Sequence, residues 1–188
     1  MLQEDATQKF HRLAWPHMGV VLRTAKFLCR DTAEAEDLAQ ETMIKAFRFM
    51  DRFQEGSDVK GWLMAILRNT RIDRLRSRGK RLEDVSLEQL EVDFASKPEE
   101  NAGQDGPLLE PEQILNNFSD EVMIEGLQAL PEEIRWTLLL VDVEGLDHAQ
   151  AAEVMDVPVG TVKSRAHRGR GMLRTYLQGQ KLQTGGVK

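Results

Sequence analysis

Seven cations fall within the fourteen residues from 68 to 81: Arg68, Arg71, Arg74, Arg76, Arg78, Lys80 and Arg81, with Asp73 the one acid among them. Arginine dominates, and its planar fork of donors suits phosphate oxygens and base edges rather than proton transfer. Cations at a helix C-terminus also oppose the helix dipole, but that effect needs fewer charges than these. A second cluster, Thr161, Lys163, Ser164, Arg165, His167 and Arg168, lies in a stretch from 157 to 188 that has seven Lys and Arg and no acid. Both clusters suit recognition of a polyanion. Nothing comparable points to catalysis. His11, His17, His148 and His167 are scattered without metal-ligand spacing, and Cys29 is the one cysteine. Neither a disulfide nor a zinc site is expected, no cofactor is implied, and the chain reads as a non-enzyme.

The formal net charge of -6 over 188 residues sits oddly with nucleic-acid binding until it is divided along the chain. Residues 1–80 sum to +4, 81–118 to -8, 119–156 to -9 and 157–188 to +7. Distribution therefore matters more than the total. Within the acidic stretch, residues 95–112 hold three prolines, two glycines and many carboxylates, the composition of a flexible linker. A tether of roughly 35 residues has an end-to-end distance of about 30–35 Å. The expected organisation is all-α: a small helical domain over 1–80, an acidic flexible linker over 81–118, a second small helical domain over 119–178 containing a helix-turn-helix, and a frayed tail over 179–188. The acidic start carries no visible secretory signal, and the apolar run Leu138–Val141 is too short to span a bilayer. A cytoplasmic location without membrane insertion is the expectation, with Cys29 a small buried hydrophobe.

The elements that must position these residues follow from helical spacing. Asp31-Thr-Ala-Glu34 has the form of a capping box that starts a helix. Ala35, Leu38, Ala39, Thr42, Met43, Ala46, Phe47 and Met50 then recur as one buried stripe. The other face presents Asp37, Gln40, Glu41, Ile44 and Arg48, and the apolar Ile44 among charges suits a protein-docking anchor as well as a scattered surface hydrophobe. After the turn-rich loop Asp51–Asp58, a helix from Val59 buries Trp62, Leu63, Ile66 and Leu67 and carries the arginine cluster at its far end. Trp62 reads as core packing, with stacking on DNA the alternative. Further on, a short helix over Leu146–Met155, a turn at Asp156-Val-Pro158 and a helix opening at Val159 have helix-turn-helix spacing. Ala152 and Val162 would pack the two helices together, Ala166 and Leu173 continue the inner stripe, and the Thr161–Arg168 cluster is left outside, where such motifs enter the major groove.

These residues carry a resemblance. The run Ala35–Phe47 resembles the core-binding helix of extracytoplasmic-function sigma factors of the sigma-70 family, and Gly61–Asn69 is similar to their promoter-melting segment. Ala129-Leu-Pro-Glu-Glu-Ile-Arg135 and Val157–Arg165 resemble the hallmarks of their fourth region. The resemblance spans both domains in order, with a variable linker where the family has one. It implies that Asp37, Gln40, Glu41, Ile44 and Arg48 grip the beta-prime clamp helices of core RNA polymerase. It further implies that Lys60, Trp62, Asn69, Arg71, Arg74 and Arg76, with the preceding loop, capture and unpair the −10 element of promoter DNA. Thr161, Lys163, Ser164, Arg165, His167 and Arg168 would read the −35 element, and this domain would dock on the beta flap. An anti-sigma factor is the implied antagonist, and Val141–Gly145 and His167–Arg170 resemble the subgroup controlled by thiol-sensing zinc anti-sigma factors. Directing initiation at a stress or envelope-response regulon is the implied function. A helix-turn-helix regulator that is not a sigma factor is the alternative, but nothing in residues 1–80 supplies its ligand pocket or phospho-acceptor domain.

Overall fold

Helical periodicity runs through the sequence, and the computed structural model bears it out. It describes residues 5–83 and 120–184, with side-chain surroundings over 5–77 and 121–180, and every regular element among them is helical. Nearly all of the expected linker lies outside the described residues. The first domain holds α1 (Ala6–Leu13), α2 (Met18–Leu28), α3 (Thr32–Phe49) and α4 (Val59–Glu83), with 3-10 turns at Trp15–His17 and Met50–Arg52. The second holds α5 (Asp120–Gln128), α6 (Glu132–Leu138), a π turn at Leu139–Val143, α7 (His148–Met155) and α8 (Val159–Thr184).

Helix α3 starts as its sequence requires, with the Asp31 carboxylate accepting from the Ala33 N–H at 3.3 Å. Glu34 does not close the expected box; its carboxylate goes to Arg71 instead. Ala35, Leu38, Ala39, Thr42, Met43, Ala46 and Met50 are buried, and the alanines among them let α2 and α4 approach closely. Thr42 satisfies its buried hydroxyl by donating to the Leu38 carbonyl. Phe47 departs from the expected stripe and is 43% exposed. At about 100° per residue it falls beyond Met43 on the edge of the stripe, where its ring meets the buried Phe10 edge-on at 5.3 Å. On α4, Leu63, Met64, Leu67 and Thr70 are buried, and Trp62 is half-buried against the Phe53 ring at 4.8 Å, the packing role.

In the second domain Pro131 precedes α6, and Arg135 reaches back to the carbonyls of Leu127, Gln128 and Leu130 at 2.7–2.9 Å. Those carbonyls lie at the end of α5 and in the turn after it, so one half-buried guanidinium joins two helices. The first helix of the helix-turn-helix begins at His148 rather than Leu146, because Asp147 and Gln150 form a reciprocal capping box. Asp156, at φ 54° in the left-handed region, ends it and turns the chain toward Pro158. Ala152, Val162, Ala166 and Leu173 are buried as the pattern requires. Helix α8 continues to Thr184, past residue 178 where the sequence reads as a frayed tail.

Gly169 and Gly171, on the same helix, should respond to substitution in opposite directions. A Cβ at Gly169 would lie 2.7 Å from Ile134 Cγ2 and 3.0 Å from Leu138 Cγ, whereas one at Gly171 would meet nothing within 4 Å. Gly169→Val should cost about 1–3 kcal/mol by overpacking the α6–α8 seam. Gly171→Ala should add about 0.5–1 kcal/mol of stability through helix propensity. Urea denaturation of both variants checks the pair, and equal effects would contradict the packing.

Candidate functional site

Three surfaces and one interface gather the residues singled out by the sequence. On α3, Asp37, Gln40, Ile44 and Arg48 are exposed and Glu41 is half-buried. Ile44 is 52% exposed, so it lies off the core as its helical phase predicts. Burial tends to raise the Glu41 carboxyl, but its bonds to Arg74 and Lys45 and their charges prevail and hold it below its ordinary value. Phe47, 43% exposed and about 60° around the helix from Ile44, extends the apolar part of this face beyond the single anchor that the sequence suggests.

The arginine-rich helix α4 divides by face. Asn69 and Arg76 are exposed and Lys60 is half-buried. Arg74 lies across α3, bonded to the Glu41 carboxylate at 2.8 Å and the Asp37 carbonyl at 2.9 Å. Arg71 turns inward. It is 8% exposed and donates to Glu34 at 2.9 Å and to the Leu28 carbonyl at 3.2 Å, capping the end of α2. The structure thus places Arg71 and Arg74 in bonds within the first domain, where the sequence expects a face for DNA. Arg78, Lys80 and Arg81 lie outside the residues whose side chains are described.

The helix-turn-helix keeps its second helix outward: Lys163, Ser164, His167 and Arg168 are exposed, and Thr161 and Arg165 are half-buried. Arg165 pairs with Glu133 of α6 at 3.1 Å, and Arg68 of the first domain lies 3.4 Å from the other oxygen of the same carboxylate. Gly169 and Arg170, just beyond, hold α8 to its neighbours. Arg170 makes a two-bond pair with Asp142 of the π turn at 2.6 and 3.0 Å, which raises the guanidinium above its ordinary value despite burial.

The domain interface is the part that sequence reasoning did not reach. Glu144, whose side chain has no exposed surface, enters the first domain. Both carboxylate oxygens accept from the one Arg23 Nη2, at 2.9 and 3.0 Å, and one of them accepts from the Thr24 hydroxyl at 2.9 Å, with the Lys60 ammonium 3.6 Å away. Lys60 also donates to the Glu144 carbonyl. Gln128 donates to the Cys29 and Lys26 carbonyls at the end of α2, Glu132 approaches Arg71, and Gln150 donates to Asp58 at 3.0 Å. One local signal for Glu144 existed: an acid three residues after the apolar run Leu138–Val141 and directly before Gly145, which takes the left-handed φ of 68° that follows the π turn. Among the described residues no group of His, Cys, Asp and Glu could hold a metal, and no helix is long and apolar enough to cross a membrane.

Residues 15–81 match the family described as Sigma-70 region 2, and residues 121–173 match Sigma-70, region 4. The chain is 35% identical over 175 residues to the ECF RNA polymerase sigma factor SigE of Mycolicibacterium smegmatis, covering 93% of this chain but only 63% of that relative's length. It is 34% identical over 162 residues to the RNA polymerase sigma-H factor of Pseudomonas aeruginosa, covering 86% of this chain and 80% of the relative. The ECF RNA polymerase sigma-E factor of Escherichia coli strain K12 is 31% identical over 151 residues, 78% of this chain and 75% of its own. Among solved structures, the sigma factor RpoE in complex with the anti-sigma factor NepR from Bartonella quintana superposes with a TM-score of 0.70 at 27% identity, covering 90% of this chain and 96% of that one. CnrH, solved in complex with the cytosolic domain of CnrY, shares the fold with a TM-score of 0.60 at 20% identity over 93% of this chain and 95% of that one.

The inward and outward arginines of α4 should separate in a stability measurement. Arg71→Ala should cost about 1–3 kcal/mol, because Glu34 and the Leu28 carbonyl lose a buried donor. Arg76→Ala should stay within about 0.5 kcal/mol, as an exposed side chain does. Thermal unfolding of the two variants reads this directly; a neutral Arg71→Ala would contradict its placement.

Proposed function

The chain belongs to the sigma-70 family and is an RNA polymerase sigma factor of the extracytoplasmic-function type, and from that we propose how its surfaces divide the work. The α3 face of Asp37, Gln40, Glu41, Ile44 and Arg48 docks on the beta-prime clamp helices of core polymerase, with Ile44 as anchor and Phe47 widening the apolar contact. Lys60, Asn69 and Arg76 of α4 meet the −10 element. Arg71 and Arg74 shape that surface from within the domain, and Trp62 supports it by packing on Phe53. On α8, Thr161, Lys163, Ser164, Arg165, His167 and Arg168 read the −35 element, while the second domain docks on the beta flap. The observation that carries this reading is an exposed, charge-ringed Ile44 on the first domain beside a helix-turn-helix whose second helix turns Lys163, Ser164, His167 and Arg168 to solvent. A helix-turn-helix regulator of another class would leave the region-2 match over 15–81 without an explanation.

An anti-sigma factor is the antagonist we propose. RpoE, which superposes over both domains, was solved in complex with the anti-sigma factor NepR. The chain's acidic segments would disfavour free duplex DNA, so promoter binding should depend on polymerase. A cytoplasmic location and a role in a stress response fit this reading.

Run-off transcription with purified core polymerase on genomic fragments, with and without the protein, tests the function; transcripts that do not depend on the protein would refute it. Ile44→Glu should abolish core binding while thermal stability stays nearly unchanged, since Ile44 lies off the core; loss of folding would place it in the core instead. Arg168→Ala should lower the salt slope of promoter binding by the holoenzyme by about one unit if it contacts a phosphate, or relax specificity at one base pair by about 1–3 kcal/mol if it contacts a base edge. Promoter binding indistinguishable from that of the unmodified protein would remove Arg168 from the reading face.

A further inference from the structure

Glu144 is held by three side chains that all come from the other domain, and these three belong to two neighbouring helices. Arg23 and Thr24 are successive residues of α2, and Lys60 opens α4. The recess they line is therefore a property of the first domain and remains when the second domain leaves. It then presents a guanidinium fork, an ammonium and a hydroxyl with no carboxylate bonded among them. Asp58, two residues before Lys60, keeps its Oδ1 on the Lys60 backbone N–H at 3.0 Å, while its Oδ2 gives up Gln150 when the second domain leaves. Such a set of donors suits a single anionic group with several oxygens.

We propose that Arg23, Thr24 and Lys60 form a phosphate-binding site for promoter DNA, which Glu144 fills while the two domains are together. The inference rests on the reading of the chain as a promoter-binding sigma factor. Two features favour a DNA phosphate as the second occupant, at a recess about half a turn around α4 from the exposed Asn69 and Arg76. An arginine fork bonds carboxylate and phosphate with the same two-point geometry, so the same atoms serve both ligands in turn. Thr24 adds a hydroxyl, which reaches the Val20 carbonyl at 3.0 Å as well as the Glu144 carboxylate at 2.9 Å and can turn its one hydrogen to a phosphate oxygen, the kind of contact common in protein–DNA complexes. Arg23 is half exposed even with Glu144 in place, at 52% of its side chain, so the recess opens directly to solvent on one side.

The occupants exclude each other. The Glu144 carboxylate is tethered and competes at the effective concentration of an intramolecular ligand, on the order of millimolar for a flexible link. A phosphate enters only when the domains part, as they must to reach separated promoter elements on polymerase. Glu144 therefore couples domain opening to DNA contact at the Lys60 end of α4.

The test uses the full-length protein with a fluorescein-labelled random-sequence duplex, since a phosphate contact is independent of sequence, and measures affinity across a salt series. Glu144→Ala should bind several-fold more tightly than the unmodified protein, with a salt slope steeper by about one unit. Arg23→Ala breaks the same interdomain bond, but it should bring no such gain, and Glu144→Ala with Arg23→Ala should lose it. Glu144→Gln, which keeps the side chain's shape, should move in the direction of Glu144→Ala and serves if that variant folds poorly by circular dichroism. If Arg23→Ala gains as much as Glu144→Ala, the contact gates the chain but binds no DNA, and the proposal is overturned. An unchanged slope in both Glu144 variants overturns it as well. Run-off transcription by the unmodified protein, measured in parallel, separates the two levels: its absence defeats the sigma-factor reading, whereas transcription with unchanged slopes defeats this site alone.

Discussion

A carboxylate removed from water is costly unless its lone pairs are filled, and Glu144 is the group on which the arrangement of the two domains turns. With no exposed side-chain surface, it lies among Arg23, Thr24 and Lys60, and every one of these donors belongs to the opposite domain. The second domain cannot shift by an ångström or two without leaving both Glu144 and the cations short of partners. Peripheral bonds then follow from this register: Gln128 onto the carbonyls at the end of α2, Gln150 onto Asp58, and Glu132 near Arg71. Hydrogen bonds of this kind contribute about 0.5–1.5 kcal/mol each. A shared buried carboxylate sets geometry far more strictly than it adds stability.

The local backbone explains how one short segment serves both domains. In the π turn Leu139–Val143 the Glu144 N–H bonds to the Leu139 carbonyl, and Gly145 then takes a left-handed conformation. Residues two apart on a helix already point about 200° from one another, so Asp142 and Glu144 serve opposite sides, and Gly145 then ends the turn. Asp142 pairs with Arg170 on α8, and Glu144 enters the first domain. Helix α8 and the domain interface are thus tied to the same five-residue turn. Glu133 forms a second link, since one carboxylate lies beside Arg165 of α8 and Arg68 of the first domain.

Much of this was legible from residue order, and the reasons for the remainder are physical. The buried stripe of α3, the exposed Ile44 and the helix-turn-helix follow from 3.6-residue spacing, because each depends on neighbours along one helix. Phe47 was misplaced because a stepping pattern of three and one drifts around a helix, and an edge position can face either way. Arg71 shows a different limit. A helix pattern records its arginines but not the carbonyls waiting at the end of another helix, and the end of α2 takes this one inward. Glu34 had two partners open to it, its own helix start or Arg71, and only tertiary packing decides between them. The Asp147–Gln150 capping box has the spacing of a helix start, one residue beyond the apolar Leu146. The site around Glu144 was out of reach for a stronger reason: its members are separated by more than eighty residues, and no periodicity connects them.

The acidic composition takes on a different meaning in this setting. Carboxylates at 133 and 144 stand where phosphates would otherwise be drawn, each bonded to cations of a DNA-binding chain. Negative residues here do not merely dilute the positive faces; they are placed at particular guanidinium groups, where on the proposed reading they would compete with nucleic acid one contact at a time. Because a phosphate contact releases condensed counterions while an internal carboxylate does not, the balance between the two would shift toward DNA as salt falls. Polymerase would shift it by geometry instead: holding the domains at separate sites would keep Glu144 from its recess and leave the cations there to promoter DNA.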